Sequence, residues 1–251
     1  MSRPIIGGVA AVPVQRHLPK PVRDIATDVA FEAIADAGLS PRDIDGLFVS
    51  PPVLSGPAGF MWSCSFAHHL GLEHMAFHGV QGRGVLVDLA HHLGHEWRGV
   101  DRATLEEIMA ADGVVVEPGD VLVLHTGFAT KVLEWERDPD PVKIHTMCSY
   151  LDARDPALLE WIAESQIAAL VADNYAVEGL LGKDRDPGRH SFLPIHHLCL
   201  FKLGVPLGEM WYLQELAAWL RAHDRSRFLL TAPPLRMPGV VGSPVTPVAT
   251  V

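Results

Sequence analysis

The sequence predicts an α/β fold in which strands and helices form mixed layers. Apolar residues recur at helical spacing in four segments, which are 22–38, 102–111, 156–165 and 210–223. Between them stand short apolar runs that are typical of buried strands, at 82–90, 114–116, 121–124 and 168–172. Because the two kinds of element alternate along the chain, helices packed on a sheet are expected.

The N-terminal segment predicts one β-α-β unit. Residues 5–12 form an apolar run bounded by Gly and Pro, which suits a buried strand. The helical pattern that starts at Val22 ends at Gly38, a residue type that commonly caps a helix C-terminus. Residues 46–50 predict the second strand.

Composition restricts the partners of the chain. A length of 251 residues allows one large domain or a large and a small one. No segment approaches the ~18 continuous apolar residues of a membrane span, and Gly7, Gly8 and Pro13 interrupt the N-terminal apolar run. A formal net charge of −10, without a cluster of Lys or Arg, disfavours nucleic acid. A cytoplasmic protein that binds neither nucleic acid nor membrane is expected.

The cysteines predict neither a disulfide framework nor a thiolate zinc site. Cys64, Cys148 and Cys199 are scattered and lack the spacing of either kind of site. We expect all three to be free thiols, mostly buried.

Histidines and carboxylates stand in apolar surroundings in two stretches, 171–178 and 193–209. Removing an imidazole or a carboxylate from water costs several kcal/mol unless the group is hydrogen-bonded, paired or bound to a metal. The fourteen histidines also cluster, notably as His196 and His197. A metal site is therefore the first hypothesis.

Residues 33–49, AIADAGLSPRDIDGLFV, preceded by Ile6-Gly-Gly-Val9, resemble the opening of the thiolase-like condensing enzymes. The resemblance covers about residues 4–76. It includes none of that family's catalytic groups, and Cys64 is better interpreted as a buried structural thiol than as a nucleophile. The resemblance implies a separate N-terminal segment, residues 1–76.

The remainder of the chain, from Gly82 onward, resembles the metal-dependent cyclase family, whose members include bacterial kynurenine formamidases. Five matching pieces follow one another in family order: Gly82–Asp88; Val116–Gly127; Ala172–Glu178; Pro194–His196 with Gly208-Glu209; and Pro233–Leu235 with Gly242–Val245. The resemblance implies a cyclase-like swivelling β/β/α domain over residues 77–251. It also implies a homo-oligomer, a dimer or tetramer, that uses zinc or manganese to hydrolyse a C–N bond of a small amide, formamide or lactam.

The resemblance assigns two metal ligands, His196 and Glu209, because a Pro-x-His followed about a dozen residues later by Glu supplies one imidazole and one carboxylate. His197 is the alternative if the register shifts by one residue. The competing interpretation is that both histidines are structural and that Glu209 caps the next helix. Asp173 and Asn174 either orient a ligand imidazole or end a strand, and Glu178 is expected to be exposed.

The family's other metal motif, His-x-Gly-Thr-His-x-Asp-x-Pro, has no copy in this sequence. His74 and His78 are spaced to share a helix face and could grip one ion, although a structural pair is the preferred interpretation. His91, His92 and His95 are expected in a loop. Unless His74 and His78 or a partner subunit complete the site, weak metal binding and poor turnover are expected, since catalytic zinc takes three protein ligands.

Two other functions stay open. The chain could be a non-catalytic fusion of a thiolase-like and a cyclase-like fragment, which metal analysis would reveal by the lack of a stoichiometric ion. It could also be a thiolase-like acyltransferase remnant acting on coenzyme A, which would require thioester exchange that depends on Cys64.

Overall fold

A computed structural model describes residues 9–11, 22–43, 79–179, 191–235 and 243–251. Gln81–Thr231 and Pro247–Val251 form one compact unit, and the described parts of Met1–Val80 and Ala232–Thr246 belong to a second one. Several sequence-based expectations concern residues outside these ranges: most of the strand at 5–12, the strand at 46–50, Cys64, His74 and His78. Within the described ranges, no helix is long and apolar enough to cross a membrane.

The second unit contains helix α1, Val22–Asp36, which confirms the predicted helix. Gly38 has a φ of 72°, in the left-handed region that glycine adopts without strain. The amide of Leu39 donates to the carbonyl of Ile34, and the amide of Gly38 donates to that of Ala35. Gly38 therefore caps the helix, as its position in the sequence predicts.

The described residues of the larger unit form eight strands in two sheets. Their bounds are β1 Gln81–Asp88, β2 Arg98–Val100, β3 Val121–His125, β4 Ser149–Leu151, β5 Ala169–Ala172, β6 Leu207–Gly208, β7 Arg227–Thr231 and β8 Val248–Thr250. The six-stranded sheet has the order β6-β5-β3-β1-β7-β8. Its first four strands run parallel, and β7 and β8 are antiparallel to their neighbours. Strands β2 and β4 form a separate parallel pair.

Where the chain between these strands is described, it forms six α-helices: α2 Leu89–Leu93, α3 Arg102–Ala111, α4 Phe128–Glu134, α5 Pro156–Glu164, α6 Pro194–His196 and α7 Gln214–Ala222. A π-helical segment, His197–Leu203, continues directly from α6. The side chains of Asp101 and Asp155 accept from backbone amides at the starts of α3 and α5. Such caps satisfy amides that a helix leaves unpaired, which explains where these two predicted helices begin.

Both faces of the large sheet are covered by apolar cores. Every residue of β3 is buried, as is usual for a central parallel strand. Leu122 and Leu124 pack in the core that includes residues of α3 and α5, whereas Val121 and Val123 pack in the core that includes residues of α7. The alternation follows from the two-residue period of a strand, which sends successive side chains to opposite faces.

The carboxyl ends of the parallel strands carry a row of polar residues. Asp88, the last residue of β1, pairs in register with His125, the last residue of β3. Asp173 directly follows β5, and Glu209 directly follows β6. Because the ends of parallel strands meet at one edge of a sheet, which is where α/β proteins bind ligands, this edge positions the candidate site.

Three local expectations are wrong. No strand forms at 114–116, because the Val114 amide donates to the Met109 carbonyl and so continues the end of α3. The helix predicted from 210 begins at Gln214, since the amides of Met210 and Trp211 are tied to carbonyls of Asn174 and Ala172. His91 and His92 lie in α2 and not in a loop, because the Asp88 carboxylate caps this helix.

Substituting Gly84 with alanine is expected to lower the free energy of unfolding by about 1–3 kcal/mol, the usual cost of overpacking a core. A Cβ at Gly84 would lie 2.5 Å from Cε2 of the buried Phe228 ring on the neighbouring strand. Gly82→Ala is the matched control in the same strand, since its Cβ would meet Val121 at 4.0 Å. Urea unfolding of the two variants measures the difference; equal stabilities would contradict this account of the packing.

Candidate functional site

Glu178 holds His196 in place. Its carboxylate Oε1 accepts from both the amide and the Nδ1 atom of His196, each at 2.8 Å, and Oε2 accepts from the Ile195 amide at 3.0 Å. Glu178 is only 2% exposed. Because the carboxylate binds the ring through Nδ1, the other ring nitrogen, Nε2, is directed elsewhere.

The Nε2 atom of His196 lies 3.2 Å from Oε1 of Glu209. This contact is an ion pair without the angles of a hydrogen bond, since Glu209 Oε1 is buried and has no hydrogen-bond partner within the described ranges. Hydrogen bonding to Glu178, followed by the interaction with Glu209, raises the pKa of His196 to about 9. One imidazole thus stands between two carboxylates, which we call the Glu178–His196–Glu209 triad.

The loop that carries Glu178 is held in an unusual conformation. Val177 is fully buried and has a φ of 56°, a left-handed value that is rare for a β-branched residue. The Asn174 Oδ1 atom accepts from the Val177 amide at 2.8 Å. Strained backbone of this kind persists where surrounding contacts enforce it, often at functional sites. Here the strained turn positions the Glu178 carboxylate against His196.

Glu209 and His196 also stand beside irregular backbone. Met210 has a φ of 58°, and its amide donates to the Asn174 carbonyl at 2.9 Å. This bond ties the residue after Glu209 to the loop that carries Glu178. The π-helical segment begins immediately after His196, and π-helical turns occur frequently at functional sites.

A second buried polar group occupies the ends of β1 and β3. The Asp88 Oδ1 atom accepts from His125 Nδ1 at 2.7 Å, and Arg221 pairs with Asp88 Oδ2. Burial opposes ionisation of Asp88, but the hydrogen bond and charge of His125, with smaller contributions from His91 and Arg221, lower its pKa. The imidazole of His125 is therefore oriented by a carboxylate, as catalytic and ligating histidines commonly are.

Asp173 is buried beside this pair. Its Oδ1 atom accepts from the amide and the hydroxyl of Thr126, both at 2.7 Å. Burial raises the pKa of Asp173, although the bonds from Thr126 act in the opposite direction. Asp173 and Asn174 thus bond to Thr126, Val177 and Ser149, and neither forms a hydrogen bond to His196. Asn174 acts on His196 only through the turn that carries Glu178.

The structure brings together only some of the proposed metal ligands. His196 and Glu209 are adjacent, whereas the His197 ring packs against Phe201, with ring centroids 5.2 Å apart. His74 and His78 lie outside the described residues. Across the described part of the chain, no three His, Cys, Asp or Glu side chains are grouped so that they could hold an ion.

The triad fits part of a divalent-ion site. Bonds of about 2.0–2.2 Å from zinc to nitrogen and oxygen place two ligand atoms of one ion about 3–3.5 Å apart, and Nε2 of His196 and Oε1 of Glu209 are separated by 3.2 Å. Both atoms have the donor chemistry that zinc and manganese accept. The described residues therefore supply two ligands, one fewer than a catalytic zinc usually takes from its protein.

Glu178 is a residue of the candidate site that sequence reasoning missed. It was expected to be exposed, and this expectation is wrong because Glu178 forms a parallel bridge to Leu151 and is covered by the chain around Ile195. The signal in the sequence was that Glu178 ends the stretch 172–178, which resembles the cyclase family, and that its neighbours are apolar or small. His125 was also missed, although it ends an otherwise apolar strand.

Comparison with known proteins identifies the family. Residues 56–179 match the family of putative cyclases. A crystal structure described as a novel cyclase is 35% identical, with a TM-score of 0.57, and the match covers 72% of this chain and 57% of that one. Over the part that these matches cover, the chain belongs to the cyclase family. The family match begins within the segment that resembles thiolases, and that resemblance stays a prediction.

More distant structures share the fold. An isatin hydrolase bound to the product analogue thioisatinate is 14% identical, with a TM-score of 0.51, over 68% of this chain and 60% of that one. Isatin hydrolase A from Labrenzia aggregata, bound to benzyl benzoate, is 13% identical, with a TM-score of 0.50, over 67% and 60%. No curated protein matches the chain. The chain spans 57–60% of the length of these solved structures.

Replacing Asp173 with asparagine is expected to raise the melting temperature at pH 7. A raised carboxyl pKa in the folded state means that the stabilising contribution is present below the unfolded pKa of about 3.9 and is lost as pH rises through the folded pKa. At pH 7 the buried charge is a cost that the amide avoids. Thermal unfolding from pH 4 to 8 should show a gain that shrinks toward pH 4; a gain independent of pH would contradict this account.

Proposed function

We propose that this chain is a metal-dependent hydrolase that cleaves a C–N bond of a small amide or formamide, with His196 and Glu209 as two ligands of a zinc or manganese ion. The observation that carries the proposal is the Glu178–His196–Glu209 triad. A buried carboxylate binds Nδ1 of the imidazole and leaves Nε2 beside a second carboxylate whose nearest oxygen has no hydrogen-bond partner among the described residues.

The three side chains have distinct roles in this proposal. Glu178 fixes the tautomer and the orientation of His196 by accepting its Nδ1 proton, which also increases the basicity of Nε2. His196 and Glu209 supply one nitrogen and one oxygen ligand. When bound, the ion would lower the pKa of a water molecule to about 7 and polarise the substrate carbonyl. The geometry favours His196 over His197 because only His196 has a partner carboxylate on each ring nitrogen.

Further ligands have to come from elsewhere. We propose His74 and His78, or a residue of a partner subunit in a homo-oligomer, as the groups that complete the site. The proposed substrate is a small molecule, and a net charge of −10 disfavours nucleic acid as a partner. One protein of similar fold is an isatin hydrolase, and isatin contains a cyclic amide. That likeness supports C–N hydrolysis as the reaction class.

Hydrolysis assays with added zinc or manganese test the proposal. N-formylkynurenine and simple lactams are the substrates, and Glu209→Gln is the diagnostic variant. Turnover that requires the added metal and falls more than about 10-fold in Glu209→Gln is expected, since even groups that only support a ligand contribute that much. Glu215→Gln, an exposed change on α7, should leave turnover unchanged.

Two results would overturn the proposal. Turnover that persists in a chelator would show chemistry that does not use the ion. No turnover with either metal on any of these substrates would favour the non-catalytic chain.

A further inference from the structure

Besides Glu209 Oε1 of the triad, three buried side-chain atoms have no hydrogen-bond partner among the described residues. They are Nε2 of His125, Oδ2 of Asp173 and Oγ of Ser149. His125 is 3% exposed, and Asp173 and Ser149 are each 1% exposed. Leaving a buried polar atom unpaired is unfavourable, so a group of them points to a bound partner.

The sheet register places His125 and Asp173 side by side. Leu124 of β3 pairs with Ala172 of β5, and His125 and Asp173 are the next residues of the two strands. Neighbouring strands lie about 4.8 Å apart, and the charge of His125 acts on the Asp173 carboxyl. The two residues are therefore neighbours at this edge of the sheet, and no direct hydrogen bond joins their side chains.

The other polar atom of each side chain already forms hydrogen bonds. His125 Nδ1 donates to Asp88, and Asp173 Oδ1 accepts two bonds from Thr126. Neither side chain can rotate toward the other without breaking these bonds. Ser149 belongs to the same neighbourhood, because its carbonyl accepts from Asn174, the residue after Asp173.

We propose that His125 and Asp173 bind one buried water molecule between them. A water molecule can donate to Nε2 of a neutral imidazole or accept from an imidazolium, and in either case it donates to Asp173 Oδ2. Buried waters typically make about three hydrogen bonds to polar groups that are otherwise unpaired. The chain Arg221–Asp88–His125–water–Asp173–Thr126 then runs without a break across the ends of β1, β3 and β5.

This inference does not depend on the proposed hydrolase function, because it concerns groups other than the triad. A metal ion is a poorer occupant, since no three ligand side chains are grouped within the described ranges. Because His125 Nδ1 already donates to Asp88 and Asp173 Oδ1 already accepts from Thr126, the free Nε2 and Oδ2 atoms suit a water molecule that donates to both.

A high-resolution crystal structure of the full chain, grown with and without zinc, tests the proposal. One oxygen within hydrogen-bonding distance of both His125 Nε2 and Asp173 Oδ2 is expected in both crystals, and it should be lost in His125→Phe. His92→Phe is the control, since His92 pairs with Asp112 away from these atoms. Water relaxation measurements in solution should likewise show one long-lived water fewer in His125→Phe and no loss in His92→Phe.

A direct hydrogen bond between the two side chains, with no density between them, would overturn the proposal. Density that anomalous scattering identifies as a metal ion would overturn it as well. Because both outcomes are read from the unsubstituted protein, the test stands even if His125→Phe does not fold.

Discussion

Glu178→Gln is expected to lower the affinity for zinc or manganese by about 10–100-fold, the usual effect of removing a group that orients a ligand histidine. The amide keeps one acceptor oxygen but places an NH₂ group where the other oxygen meets an N–H donor, either that of Ile195 or those of His196. The imidazole then loses its carboxylate partner on Nδ1. Isothermal titration with each metal measures the change in affinity.

Two control variants test whether the loss of affinity comes from the orientation of His196. Glu215→Gln removes a carboxylate of the same size from an exposed position of α7 and should leave metal affinity unchanged. Glu178→Asp, which keeps the charge but shortens the side chain, should retain more affinity than Glu178→Gln. If Glu178→Gln bound metal as tightly as the unsubstituted chain, the triad could not be what holds the ion.

Asp88→Ala is expected to lower the free energy of unfolding by about 2–4 kcal/mol. The change removes the charged partner of His125, a type of hydrogen bond that contributes about 1.5–3 kcal/mol, and it removes the cap of α2, which contributes about 1 kcal/mol. The exposed Arg221 guanidinium adds little to this sum, since solvent screens it. Chemical denaturation at pH 7 measures the loss.

The pair formed by His92 and Asp112 is the matched control. Its nitrogen–oxygen distance of 2.9 Å resembles the 2.7 Å of the buried pair, but both of its side chains are partly exposed. Asp112→Ala should therefore cost less than about 1 kcal/mol. Because the pKa of Asp88 is lowered, its contribution is present above about pH 4 and is lost in more acidic solution, so the two variants should converge there. Equal losses at pH 7 would contradict the assigned role of burial.

Much of the fold could be predicted because it depends on local patterns. The helices at 102–111 and 156–165 have apolar stripes preceded by an Asp cap, and strands β3 and β5 are short apolar runs, so period and capping define them. Prediction failed where a distant segment decides the backbone. Residues 210–213 have a helical pattern, but hydrogen bonds to Asn174 and Ala172 hold their first two residues out of the helix.

The candidate site was only partly predictable for the same reason. His196 and Glu209 are marked by their spacing and by family order, and the structure brings them together. The role of Glu178 depends on the strained turn at Val177 and on packing against residues 17 and 18 positions later, neither of which a local pattern reveals. The buried pair of Asp88 and His125 depends on strand register, which joins residues 37 positions apart.

Metal content of the purified chain tests the central claim most directly, by elemental analysis after loading with zinc or manganese and removal of the excess. The Glu178–His196–Glu209 triad predicts a bound ion in the unsubstituted protein and a strong loss of it in His196→Ala. His223→Ala, which removes a histidine stacked on Trp219, should retain the ion. An ion content that is the same in His196→Ala as in the unsubstituted chain, or no ion in either, would contradict the claim.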